Sequence, residues 1–215
     1  SEQLLLPVFI GTSQATIEAQ TTKDVIAGIH IGVLAVMFFY NLFIFLSTRD
    51  RSYLFYVLYI FFIGLTQVTL SGYSYKYLFP DSPELFNQAI VVAAALAGIS
   101  ASYFIRSFLH TRQLAPFWDK ILFWIAGFYA LAGTLRIAGF DRLSTRAIDI
   151  IALTIAVVAY IVAIKLSVKG YRPAKFFVFA WTIFIIGLIL FVFRNLNILP
   201  YSTFTSYTMQ LGTLL

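Results

Sequence analysis

Long apolar runs alternate with short polar knots along the 215-residue chain. A bilayer core needs about 20 apolar residues in a helix rising about 1.5 Å per residue. Six stretches meet that requirement, at 25–47, 53–73, 86–108, 119–139, 146–168 and 174–196. A seventh starts near Tyr201 or Ser202, where "YSTFTSYTMQLGTLL" grows more apolar toward Leu215, and is cut short there. Glycine and proline punctuate the connections, as they do at helix ends: Gly72, Pro80 and Pro83, then Pro116, Gly139, Gly170, Pro173 and Pro200. The pattern predicts an all-α, polytopic transmembrane helical bundle over 23–215, with six complete spans and the start of a seventh. Residues 1–22 differ. "QLLLPVFIGT" is a short apolar run with a proline and a glycine, which predicts a strand-like segment. "SQATIEAQTTKD" is polar without a clear period and reads as a linker.

Composition agrees with the pattern. Hydrophobic residues make up 60% of the chain, aromatics 18% and charged residues only 11%. Soluble domains carry about 25% charged residues. Cysteine is absent and histidine occurs twice, so neither a disulfide frame nor a structural metal site is expected. The net charge of +6 is spread between apolar runs rather than grouped on a solvated face. Membrane lipid is therefore the expected partner, and nucleic acid is not.

The basic residues also orient the chain, because Lys and Arg collect on the cytoplasmic side. With the N-terminus outside, nine of them face inward: Arg49, Arg51, Arg106, Arg112, Lys120, Lys165, Lys169, Arg172 and Lys175. Six face outward: Lys23, Lys76, Arg136, Arg142, Arg146 and Arg194. The favoured topology has the N-terminus outside and, after a seventh helix, the C-terminus in the cytoplasm.

The knot "STRDRS" at 47–52 packs three charges, Arg49, Asp50 and Arg51, between two aromatic-rich runs. A catalytic reading needs a paired nucleophile, base or metal nearby, and none is adjacent. A tight inside loop of about six residues explains the knot, with Thr48, Asp50 or Ser52 capping the next helix. His30, Met37 and Asn41 share one face of the first helix, since eleven residues at about 100° each return to within about 20°. Tyr56 and Gln67 repeat that spacing on the second. Such groups face the bundle and find partners, either as plain interhelical hydrogen bonds or as a ligand or switch site at His30, Asn41 and Gln67. On the outer side, Asp149 is placed to pair with Arg136 or Arg194. The alternatives there are snorkelling arginines with one charge-balancing pair, or a receiving surface for an extracytoplasmic domain. Small residues four apart, Gly28–Gly32 and Ala94–Gly98–Ser102, allow close helix packing within the bundle or in a homodimer.

Enzyme and carrier readings fail on specific residues. Gly98-Ile99-Ser100 has the look of an intramembrane serine protease motif, but the only later histidine, His110, ends the same helix. There is no H-E-x-x-H. Residues 176–215 contain no lysine for a retinal Schiff base. A transporter subunit, the rival reading, is expected to show paired broken helices around a midplane site. Here the glycines are scattered and no proline interrupts a span. No catalytic residues and no cofactor are expected.

The stretch "GIHIGVLAVMFFYNLFIFLSTRDRSYLFYVLYI" carries a family likeness in Gly32, Tyr40, Asn41, Leu42, Phe43, Leu46, Arg49, Asp50, Arg51, Ser52 and Tyr53. Weaker agreement follows at Gly72, Tyr77 and Pro80, and at Phe108, Leu109, Thr111 and Pro116. It continues at Gly170, Arg172, Ala174, Ala180 and Trp181, and at Leu199, Pro200, Gln210 and Gly212. From about Gly28 onward the chain resembles the membrane region of the bacterial seven-transmembrane receptors with diverse intracellular signalling modules. The resemblance implies a signal-transducing bundle in a bacterial inner membrane. It further implies an extracytoplasmic sensor domain, of which residues 1–22 would be the end. A cytoplasmic output module (a histidine kinase, diguanylate cyclase or phosphatase) would follow the seventh helix.

Overall fold

The structure, a computed structural model, describes residues 13–70 and 83–195. Among these, every regular element is an α-helix: α1 (Ser13–Thr48), α2 (Arg51–Leu70), α3 (Pro83–Phe108), the short α4 (Thr111–Leu114), α5 (Pro116–Ile137), α6 (Asp141–Val168) and α7 (Arg172–Asn195). Five segments of the described residues are long and apolar enough to cross a membrane: Ala27–Thr48, Arg51–Thr69, Leu85–Phe108, Pro116–Ile137 and Asp141–Val168. The sixth run expected from sequence falls in α7, which has 24 residues. The expected seventh helix and the strand-like "QLLLPVFIGT" lie outside the described residues.

Two details differ from the sequence reading. The stretch "SQATIEAQTTKD", polar and without a clear period, forms the first turns of a 36-residue α1. Ala15, Glu18, Ala19 and Gln20 favour helix, and no glycine or proline intervenes before Gly28. With about 1.5 Å of rise per residue, α1 continues roughly 20 Å beyond the span that begins at Ala27. The loop around "STRDRS" also shrinks, since only Arg49 and Asp50 stand between α1 and α2. Arg49 adopts the left-handed conformation, φ 57°, and its N–H still reaches the Phe45 carbonyl at 2.7 Å. Asp50 then caps α2, its Oδ1 accepting the Ser52 N–H at 2.8 Å.

The core lies among α3, α5 and α6. It gathers Ile105, Leu109, Leu122, Tyr129, Ala159 and Val162. α3 sits at the centre, against α2 on one side and α5 and α6 on the other, while α7 follows α6. Small residues make this closeness feasible. A Cβ on Gly98 of α3 would fall on the Tyr129 ring of α5, and one on Gly133 would lie 3.3 Å from Ala95 Cβ. Aromatic pairs join α2 to α3, with Phe55 stacked on Tyr103 at 5.3 Å and Tyr56 beside Phe104 at 4.9 Å.

α1 is held differently, packing chiefly on α2. One side of α1 carries buried His30, Leu34 and Asn41. Opposite it runs an apolar stripe, with Ile29, Val36 and Phe43 all more than 60% exposed. For a helix in a bilayer, an exposed apolar face is the ordinary condition rather than a defect.

Candidate functional site

Antiparallel helices give the bundle two ends, one at the Arg49 turn and the other at the Gly139 turn. The Arg49 end is stitched together by polar contacts. α3 stops at Phe108. His110 takes the left-handed conformation, φ 48°, and Leu109 closes the last turn through its N–H to the Ile105 carbonyl at 3.0 Å. α5 then opens with Pro116 at its first helical position, where a missing N–H costs nothing. This reversal sets the end of α3 against the first turn of α5. Arg106 Nε donates to Asp119 Oδ1 and Arg106 Nη2 to Asp119 Oδ2, each at 2.9 Å. Fully buried Thr111, on α4, donates its hydroxyl to Asp119 Oδ1 at 2.7 Å. The guanidinium also sits 5.3 Å from the centroids of Tyr103 and Phe123.

Every part of this clasp uses the chemistry of its residue. The planar fork of arginine matches a carboxylate in two parallel bonds. Asp119 stands in a first helical turn, where negative charge is favoured. Side-chain exposures of 20% for Arg106 and 12% for Asp119 keep water largely away. Removing one partner of such a pair leaves a poorly solvated charge, at a cost of about 3–5 kcal/mol.

Further stitches surround the clasp. Ser52 on α2 and Ser107 on α3 share a hydrogen bond at 2.8 Å. The Lys165 ammonium of α6 lies 4.7 Å from the centroid of the Trp118 ring on α5. Tyr171, in the turn from α6 to α7, brings its hydroxyl to 2.8 Å from His110 Nδ1. Burial raises the Tyr171 pKa above the ordinary phenol value, so at neutral pH the group stays protonated. Gly170, φ 87°, makes that turn possible: its N–H reaches Ser167 and the Tyr171 N–H reaches Leu166.

The described residues of the Gly139 end include a second ion pair. Arg136 is buried, and its Nη1 meets Asp141 Oδ1 at 3.1 Å, while its buried Nε has no partner among the described residues. Asp141 itself is 64% exposed on its side chain. The expected pairing of Arg136 with Asp149 is therefore replaced by one with Asp141. The physical reason is that α6 begins at Asp141, five residues before the apolar run suggests, so the Gly139 turn delivers Asp141 to Arg136. Asp149 lies two turns farther along and is exposed, as are Arg142 and Arg146. The side chain of Arg194 lies outside the described residues.

The other sequence candidates are not gathered into one site. Asn41 spends its amide on its own helix, Nδ2 donating to the Met37 carbonyl at 2.8 Å. His30 is buried, and neither ring nitrogen has a hydrogen-bond partner among the described residues. Gln67 is half-buried on α2. Among the small residues, Gly98 and Ser102 lie buried in the bundle, and Ala94 packs on its core. Ser102 donates to the Gly98 carbonyl at 2.8 Å. Gly28 and Gly32 face open space instead, and an added Cβ would meet nothing within 4 Å. Ser100 donates to its own Leu96 carbonyl at 2.8 Å, a structural use of that hydroxyl.

Sequence reasoning misses the Arg106–Thr111–Asp119 clasp as a unit and uses Arg106 and Asp119 only as topology charges. A usable signal exists: opposite charges at the end of one span and the start of the next, joined across a proline-bearing reversal. The clasp is closed, with both carboxylate oxygens engaged, and it suits fixing helices rather than transforming a substrate.

No curated protein and no solved structure matches the chain. The family model for 7TM diverse intracellular signalling matches residues 23–215, from within α1 onward. With its multiple apolar helices, the chain belongs to the 7TM diverse intracellular signalling family and is the multi-pass membrane region of a sensory receptor.

Proposed function

We propose that this bundle carries a signal from an extracytoplasmic sensor domain to a cytoplasmic output module, such as a histidine kinase, diguanylate cyclase or phosphatase, and is itself non-catalytic. The Arg49 end then faces the cytoplasm of a bacterium and the Gly139 end faces outward, as the distribution of Lys and Arg favours. α7 is the sixth span, and a seventh follows from about Tyr201. One observation carries the reading: α1 runs unbroken from Ser13 to Thr48, through the span and well beyond it. A helix of that length transmits a push, tilt or rotation applied at its outer end. It does so against a neighbour, α2, that is tied through Ser52 and Ser107 to the stitched end. The Arg136–Asp141 pair, buried at Arg136 and exposed at Asp141, takes the place of Asp149 as a contact for the sensor domain. A switch of this kind needs two arrangements close in energy, which the input then biases.

Insertion scanning tests the reading in the full-length receptor. One to four alanines are placed after Glu18, and basal output is measured in membranes as phosphoryl transfer or cyclic dinucleotide formation. Each residue turns the outer part of α1 by about 100°. Output should vary with the insertion and return toward the starting value at four residues. An output indifferent to all four insertions contradicts coupling through α1.

A further inference from the structure

The first two turns of α7 hold a feature that signal coupling does not use. Arg172, Lys175, Phe176 and Phe179 border an open hollow of about 660 Å³. Their spacing of three, four and seven residues puts them on one face of the helix. Arg172 and Lys175 are exposed, and neither joins an ion pair among the described residues. The described carboxylates of this end are already engaged: Asp119 by Arg106 and Thr111, and Asp50 by the Ser52 N–H. Phe176 and Phe179 are 72% and 69% exposed, large rings without protein cover.

We propose that this face binds an anionic phospholipid of the leaflet at the Arg49 end. Charge and depth both select that occupant. The two cations stand one turn apart, where the Arg172 fork and the Lys175 ammonium can share one phosphodiester. Arg172 to Phe179 spans seven residues, roughly 10 Å along the axis. The headgroup would therefore meet the cations at the membrane boundary, and the upper acyl chain would lie on the two rings. The long stems of Arg172 and Lys175 keep their charges at that boundary while covering apolar surface below. A soluble phosphate would use the cations and leave the rings unexplained.

Trp181, stacked on Phe177 at 5.3 Å, lies on the opposite face of α7, nine residues from Arg172 at about 100° each, so the reporter is placed on the proposed face itself as Phe179→Trp. The protein with Phe179→Trp, Trp118→Phe, Trp124→Phe and Trp181→Phe carries that one tryptophan in these 215 residues. It is reconstituted into vesicles of phosphatidylcholine mixed with brominated phosphatidylglycerol or with brominated phosphatidylcholine, and quenching of the introduced indole is compared. The expected result is about a tenfold preference for the anionic lipid near that indole, lost in Arg172→Gln/Lys175→Gln. Arg112→Gln/Lys120→Gln removes the same charge from the same end and should keep the preference. Equal quenching by both lipids in the starting protein overturns the proposal. So does an equal loss in both double variants, which would mark a diffuse field instead of a site. Circular dichroism of each variant confirms that the helices persist, and Arg172→Lys should restore most of the preference if the fold is intact.

Discussion

The two sides of this bundle are held by different means. At the Arg49 end, α3, α4 and α5 meet through a bidentate ion pair and a buried threonine, with α2, α6 and α7 tied on by Ser52–Ser107, Lys165–Trp118 and Tyr171–His110. α1 packs chiefly on α2 and shows most of its apolar surface outward. Lipid is as apolar as leucine, so burying such a face against protein gains little in a membrane. Shape complementarity and polar contacts must therefore fix which helices stay together. The difference separates a platform, joined by polar contacts between helices, from a helix that packs chiefly on one neighbour and that we propose acts as a lever.

The largest effect is expected where the platform is locked. Asp119→Ala leaves the Arg106 guanidinium without its carboxylate and should destabilise the bundle by about 3–5 kcal/mol. Unfolding in mixed micelles by a denaturing detergent measures it, and a loss below that of an ordinary surface substitution would mean the clasp is ornamental. Next comes the crossing of α3 and α5. Gly98→Ala drives a Cβ onto the Tyr129 ring and should cost about 1–3 kcal/mol through overpacking. The same change at Gly32 on α1 meets open space and should stay within about 0.5 kcal/mol. Equal costs at the two glycines would erase the contrast between platform and lever. A small loss also belongs to Ser52→Ala, whose bond to Ser107 is a single interhelical one worth about 0.6 kcal/mol in a membrane setting. A double-mutant cycle with Ser107→Ala reads the coupling directly.

Part of this design is legible in the chain. Apolar runs of about 20 residues announce spans because hydrocarbon thickness sets their length. Gly139 and Gly170 mark the helix reversals they make, both at positive φ. The knot at Arg49, Asp50 and Arg51 reads correctly as a turn, though tighter than six residues, because Thr48 and Arg51 already belong to helices. The extension of α1 is hidden, since a polar helix outside the membrane has no apolar period to reveal it. Pairings are hidden for another reason. Hydropathy places Arg106, Asp119, Arg136, Asp141 and Asp149 at the two ends, but which carboxylate meets which guanidinium depends on where each helix begins. A start five residues early, at Asp141, is enough to change the partner of Arg136.

The contrast between platform and lever is open to direct measurement, because the chain has no cysteine to remove before labelling. Two doubly spin-labelled proteins are compared in lipid nanodiscs by pulsed electron paramagnetic resonance. One carries Ile29→Cys on α1 and Ile137→Cys on α5, both exposed. The other carries Arg112→Cys on α4 and Lys169→Cys beside the α6–α7 turn, also exposed. A narrow distance distribution for the Arg112–Lys169 pair, beside a clearly broader or two-peaked one for the Ile29–Ile137 pair, is the predicted result. Distributions of equal width, or a broader one at the stitched end, would contradict it.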